Sequence, residues 1–111
     1  MSDDATRAFL DGSLSPGAFN HAEHVRVAQS LLADHSFLQA AVLYDHGLEQ
    51  ITRKAGVPAK RSITKTISFL ALIAESKVQP GPDALARWYS PERLDSEIAR
   101  DRFLMPDQYI K

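Results

Sequence analysis

Apolar residues recur three and four positions apart along most of the chain, and no stretch alternates with the period of two expected of a strand. Helix start and stop signals divide these periodic stretches. Ser2 predicts an N-cap for a first helix that Gly12 stops, with Phe9 and Leu10 turned inward. The run from Gly12 to Gly17 reads as a loop. Asn20 with Glu23 has the form of a variant capping box and starts a second helix near His21 that runs to about His35. Ser36 with Gln39 repeats the signal for a third helix, which ends at Ala55 before Gly56, with Pro58 just beyond. Gly47 inside that helix costs up to about 1 kcal/mol relative to alanine, which a close helix–helix contact would explain.

Beyond the basic loop from Val57 to Arg61, Ser62 predicts the cap of a fourth helix, from Ile63 to about Ser76. Gln79-Pro80-Gly81-Pro82 breaks the pattern, and Asp83 reads as the cap of a short helix through Trp88. Ser90-Pro91-Glu92 combines a capping serine, a first-turn proline and an acid near the positive helix end. The helix it starts, broken or continuous, is expected to reach about Leu104, with Pro106 ending it and a surface tail after. The fold class that follows is all-α: a compact orthogonal bundle of five or six helices, in a single domain spanning residues 1–111. Its core would draw on Phe37, Ala41, Tyr44, Leu48 and Ile51 of helix three and on Ile63, Ile67, Leu70 and Ile73 of helix four.

The second helix carries the candidate chemistry. On a helical wheel, His21, His24, Val25, Ala28, Leu31, Leu32 and His35 share one side, and Glu23, Arg26, Ser30, Ala33 and Asp34 share the other. Three of the four histidines thus lie on the side that turns inward, while His46 groups with Gln39, Glu49, Gln50 and Arg53 on an exposed face. His21 and His24 stand one turn apart, so their imidazoles can share a divalent transition metal, or act as acid and base on one substrate. A metal site needs three or four ligands and the pair supplies two. The other reading of the pair is structural, with each ring satisfied inside the fold. No catalytic residue is assigned.

Composition limits the other options. The formal net charge of −1 lacks the basic excess of a nucleic-acid binder, so no nucleic-acid partner is expected. With no cysteine, thiolate metal sites and thiol nucleophiles are excluded. The acidic start Met1-Ser2-Asp3-Asp4 has no apolar signal core after it, and the most apolar run, Ile67 to Ala74, is short of the about 20 residues that span a bilayer. A cytoplasmic protein with no membrane partner is the expectation; the oligomeric state is open. Lys60 and Arg61 precede the start of helix four, where free N–H groups attract anions, so with Thr64 and Thr66 they form a candidate site for a small anionic molecule. The competing reading is a solvated basic loop, with Thr66 bonded to its own helix and Thr64 to the side.

Three segments together resemble a small, largely uncharacterised family of bacterial all-helical proteins. Phe19-Asn20-His21-Ala22-Glu23-His24-Val25-Arg26-Val27-Ala28 is similar to the family pattern F-x-H-x-[DE]-H-[LV]-R-x-A. Lys60 to Thr66 aligns with Lys-Tyr-His-Glu-Thr-x-Thr, and Tyr89-Ser90-Pro91-Glu92-Arg93-Leu94 resembles a third motif, followed by Phe103 and Pro106-Asp107. The resemblance implies an all-helical fold and no particular activity. It also exposes a departure: Ser62 and Ile63 stand where the family has His-Glu. If the family builds a metal site from both histidine-bearing segments, this chain keeps His21 and His24 and lacks the other half. Two functions remain: a metal- or small-anion-binding domain working through His21 and His24, or a non-catalytic helical interaction module with structural histidines.

Overall fold

The computed structural model describes residues 4–75, 80–81 and 83–108, and among them every regular element is helical. The α-helices are α1 (Asp4–Asp11), α2 (His21–Asp34), α3 (Phe37–Lys54), α4 (Ile63–Glu75), α5 (Pro91–Leu94) and α6 (Glu97–Asp101), with 3₁₀ turns at Pro16–Ala18, Pro58–Lys60 and Ala84–Arg87. No helix of the described residues is long and apolar enough to cross a membrane. The chain divides into two compact units, Met1–Arg61 and Ser62–Lys111.

In the first unit, local signals fix the helix ends. Asn20 accepts from the Glu23 amide at 3.0 Å, and Ser36 and Gln39 form a complete capping box. Gly12 and Gly56 hold φ of 83° and 76°, left-handed values that favour glycine, where α1 and α3 stop. The proposed Ser2 cap lies outside the described residues. The α1, α2 and α3 helices all contact one another. Their buried residues include Phe9, Val25, Val27, Ala28, Leu31, Ala40, Tyr44 and Ile51. The deepest line of α3 is Ala40, Tyr44, Gly47 and Ile51; Phe37, Ala41 and Leu48, expected in the core, are only half-buried. Small residues on that line let another helix come close. A Cβ at Gly47 would lie 2.1 Å from the Phe9 ring, so the ring of α1 rests on bare α3 backbone.

In the second unit, α4 packs against α6 and the turn at Ala84–Arg87. Leu70, Ile73, Leu85, Tyr89 and Ala99 are buried, together with the hydroxyl residues Ser62, Thr64, Thr66 and Ser68. Ser62 caps α4 as expected, accepting from the Lys65 amide at 3.2 Å. Two expectations need correction here. Asp83 makes no side-chain cap bond, and a 3₁₀ turn replaces the short helix. The last helix takes the broken one of its two expected forms, because Ser96 adopts an extended conformation and caps α6 through the Ala99 amide. The helical stretch also stops at Asp101 rather than near Leu104, with Arg102 extended at φ −138°.

Residues 102–108 run along the surface but are tied down, and the remainder of the tail expected after Pro106 lies outside the described residues. The Thr64 hydroxyl donates to the Arg102 carbonyl at 2.5 Å and accepts from the Leu104 amide at 2.9 Å. The Tyr89 hydroxyl donates to the Leu104 carbonyl at 2.7 Å and bonds the Ser68 hydroxyl at 2.9 Å. Arg93 donates to the Met105 carbonyl, the Asp107 carboxylate accepts from the amide and hydroxyl of Ser90, and the Gln108 amide reaches the Trp88 carbonyl. An irregular strand of chain thus has its backbone groups satisfied by side chains of α4 and its neighbours.

Candidate functional site

Asn20 sets where α2 begins, and so places His21 in its first turn and His24 one turn on. Both histidines are half-buried. The His24 ring stacks on Phe19, with centroids 3.9 Å apart and an interplanar angle of 28°. Phe19 stacks in turn on Phe9 at 5.1 Å, and Phe9 meets the Tyr44 ring at 5.7 Å. Tyr44 closes the column: its hydroxyl lies 3.3 Å from Nδ1 of His24 and donates to the His24 carbonyl at 3.4 Å. Each aromatic pair of this kind contributes about 0.5–1.5 kcal/mol beyond the area it buries.

The column sets the charge of the site. Burial pulls the His24 pKa down to about 4, and the nearby His21 charge adds to the effect. His24 is therefore neutral at physiological pH. Burial also pushes the Tyr44 phenol well above its ordinary value, so it stays protonated. A neutral imidazole offers one N–H and one lone pair. It suits a metal ion or a hydrogen-bond donor better than an anion seeking positive charge.

The remaining candidate residues are distributed between the two units. In the first, Arg61 grips both oxygens of Asp45 at 2.8 and 2.5 Å and lies 3.8 Å from Glu49. The Asp45 bond holds the guanidinium more firmly protonated, and its Nε and Nη2 are already committed to that carboxylate. Lys60 is exposed in the turn at Pro58–Lys60. In the second unit, Thr64 is fully buried rather than to the side, and its hydroxyl already serves Arg102 and Leu104; Thr66 is buried on the same helix. Among the described residues no group of three or more His, Asp or Glu is placed to hold a metal ion together.

Sequence reasoning placed Tyr44 in the core without giving its hydroxyl a role. The usable signal was general: a buried tyrosine needs a partner for its O–H. The other histidines are held differently. His46 is exposed and bonds the Gln50 amide at 2.6 Å. His35, half-buried after the end of α2, lines an open groove of about 500 Å³ with Leu38, Gln39, Val42 and Leu43. No protein-family model, curated protein or solved structure matches the chain.

Proposed function

We propose that the first unit is a small binding unit in which His24, with His21 one turn before it, offers neutral imidazole to a divalent transition-metal ion. The observation that carries this reading is the state of His24: neutral through burial, held by Phe19 and engaged at Nδ1. Metal-ligating histidines are commonly oriented in this way, through the ring nitrogen that does not bind the ion. Two protein ligands leave positions for water or a small carboxylate, so the affinity is modest and exchange is fast. The test is a Ni²⁺ titration of tag-free chain, followed by calorimetry and by the histidine side-chain NMR signals. Saturable binding at one ion per chain, perturbing His24 but not the exposed His46, and lost in His21→Gln/His24→Gln, is the expected result. Absence of saturable binding, or binding that survives the double substitution, overturns the reading.

A second reading, a helical interaction module, is favoured by the groove on α3. Leu38 and Val42 stand one turn apart and are 76% and 69% exposed. A pair of large apolar side chains at that spacing can be matched by the same pair on a second copy across a twofold axis. Analytical ultracentrifugation decides: Leu38→Glu/Val42→Glu converts a dimer to a monomer under this reading, and a wild-type chain that is monomeric at high concentration excludes it.

A further inference from the structure

Tyr44 contacts His24 in a way that selects between the two neutral forms of the imidazole. The phenol is 1% exposed and lies on α3, twenty residues along the chain. Its oxygen has one proton to give and lone pairs to receive. Two groups of His24 lie against it, the backbone carbonyl at 3.4 Å and Nδ1 at 3.3 Å. The carbonyl can only accept. Once the phenol proton points to the carbonyl, the ring contact is a hydrogen bond only if Nδ1 carries the imidazole proton and donates it to the phenol oxygen. Nε2 is then a bare lone pair. Stacking on Phe19 opposes rotation of the ring away from this arrangement. Among the described residues no protein group bonds Nε2, and this nitrogen is not sealed from solvent.

We propose that Tyr44 is a positioning residue that holds His24 in the Nδ1–H form, so that Nε2 is presented as the ligating or proton-accepting atom. The use of that lone pair by a metal ion rests on the reading given above; the tautomer does not. The opposite arrangement, with the phenol donating to Nδ1, would leave Nε2–H as a donor and no lone pair to offer.

The experiment is a long-range ¹H–¹⁵N correlation spectrum of uniformly ¹⁵N-labelled, metal-free protein at neutral pH, with His24 assigned by its loss in His24→Gln. Wild type is expected to show a protonated Nδ1 and an unprotonated, pyridine-like Nε2. Tyr44→Phe keeps the ring in the core and removes the hydroxyl, and it is expected to shift His24 toward a mixture or toward the Nε2–H form. The same variant is expected to lose about tenfold in Ni²⁺ affinity, the scale for removing a group that orients a metal ligand. Nε2–H in the wild type overturns the proposal without any variant, as does an unchanged tautomer in a folded Tyr44→Phe. If the tautomers behave as stated but no Ni²⁺ binds, the metal reading fails and the positioning role of Tyr44 stands.

Discussion

The two units are held together by different chemistry. In Met1–Arg61, rings run through an otherwise aliphatic core: Phe9, Phe19, His24 and Tyr44 form a continuous aromatic column, and Phe9 rests on the backbone at Gly47. In Ser62–Lys111, hydroxyls carry much of the order: Ser62, Thr64, Ser68 and Tyr89 bind carbonyls, amides and one another. Aromatic packing is graded and tolerates small shifts, whereas a buried hydroxyl that loses its partner leaves an unsatisfied group at full cost. The first unit should thus respond to changes of volume, the second to changes of a single atom.

The largest expected effect comes from the ring contact at Gly47. Phe9→Ala should destabilise the protein by about 3–5 kcal/mol, the range for emptying a fully buried phenylalanine site. Gly47→Ala should also destabilise, by about 1–3 kcal/mol, even though alanine is the better helix former, because its Cβ overlaps the Phe9 ring. In the double variant the alanine methyl occupies vacated space, so urea denaturation should show a combined loss smaller than the sum. Additive losses would break the account of this contact.

A second difference lies in pH dependence. His24 titrates at about 4 in the folded chain and near its ordinary 6.5 when unfolded. Between those values the unfolded state binds more protons, so stability falls as pH drops from 6.5 and the loss is complete below pH 4. The full loss is about 3 kcal/mol. Urea midpoints measured across this window should show that slope in wild type and a flatter curve in His24→Gln. The second unit has no counterpart histidine, and its Asp107 shifts in the same direction but acts at lower pH. Hydrogen bonds from Ser90 lower the Asp107 pKa, so its contribution is present above the ordinary carboxylate range and fades only as pH falls through the lowered value.

The smallest of these effects sharpens the comparison most. Thr64→Val removes one oxygen at nearly constant volume and should cost about 1–3 kcal/mol, because the Arg102 carbonyl and the Leu104 amide both lose their partner. Hydrogen exchange should show the Leu104 amide losing its protection while α3 amides keep theirs. Thr64→Ser retains the hydroxyl and should restore the protection. If valine is tolerated without change, the hydroxyl contacts of the second unit are incidental.

Much of the first unit was legible before any coordinates. The Asn20 and Ser36 caps and the stops at Gly12 and Gly56 follow from backbone rules that act over three or four residues, while Gly47 signalled a close contact without naming its partner. The inward turn of His24 followed from helical periodicity, but its partner did not: Tyr44 is twenty residues away, and no local signal pairs a particular ring with a particular hydroxyl. The displacement of the α3 core line onto Ala40 and Gly47 was hidden for a related reason. Periodicity of large apolar residues points to where bulk lies, while the closest contacts occur where bulk is absent.

The second unit was read least well where it is least regular. Thr64 looked peripheral because a threonine in a helix carries no sign of what it faces, and residues 102–108 looked like helix and then tail because no periodic pattern describes an irregular segment. The sequence by itself determined that the chain is helical, where most helices start and stop, and which helix side carries the histidines; these depend on propensity, capping and periodicity, all local. Only the tertiary structure decided that His24 is neutral, that Tyr44 holds its ring, that Arg61 is taken by Asp45 and that the stretch from Arg102 to Leu104 is pinned by hydroxyls. Those outcomes depend on which groups distant in the chain are brought within hydrogen-bonding distance and removed from water, and local patterning does not encode that.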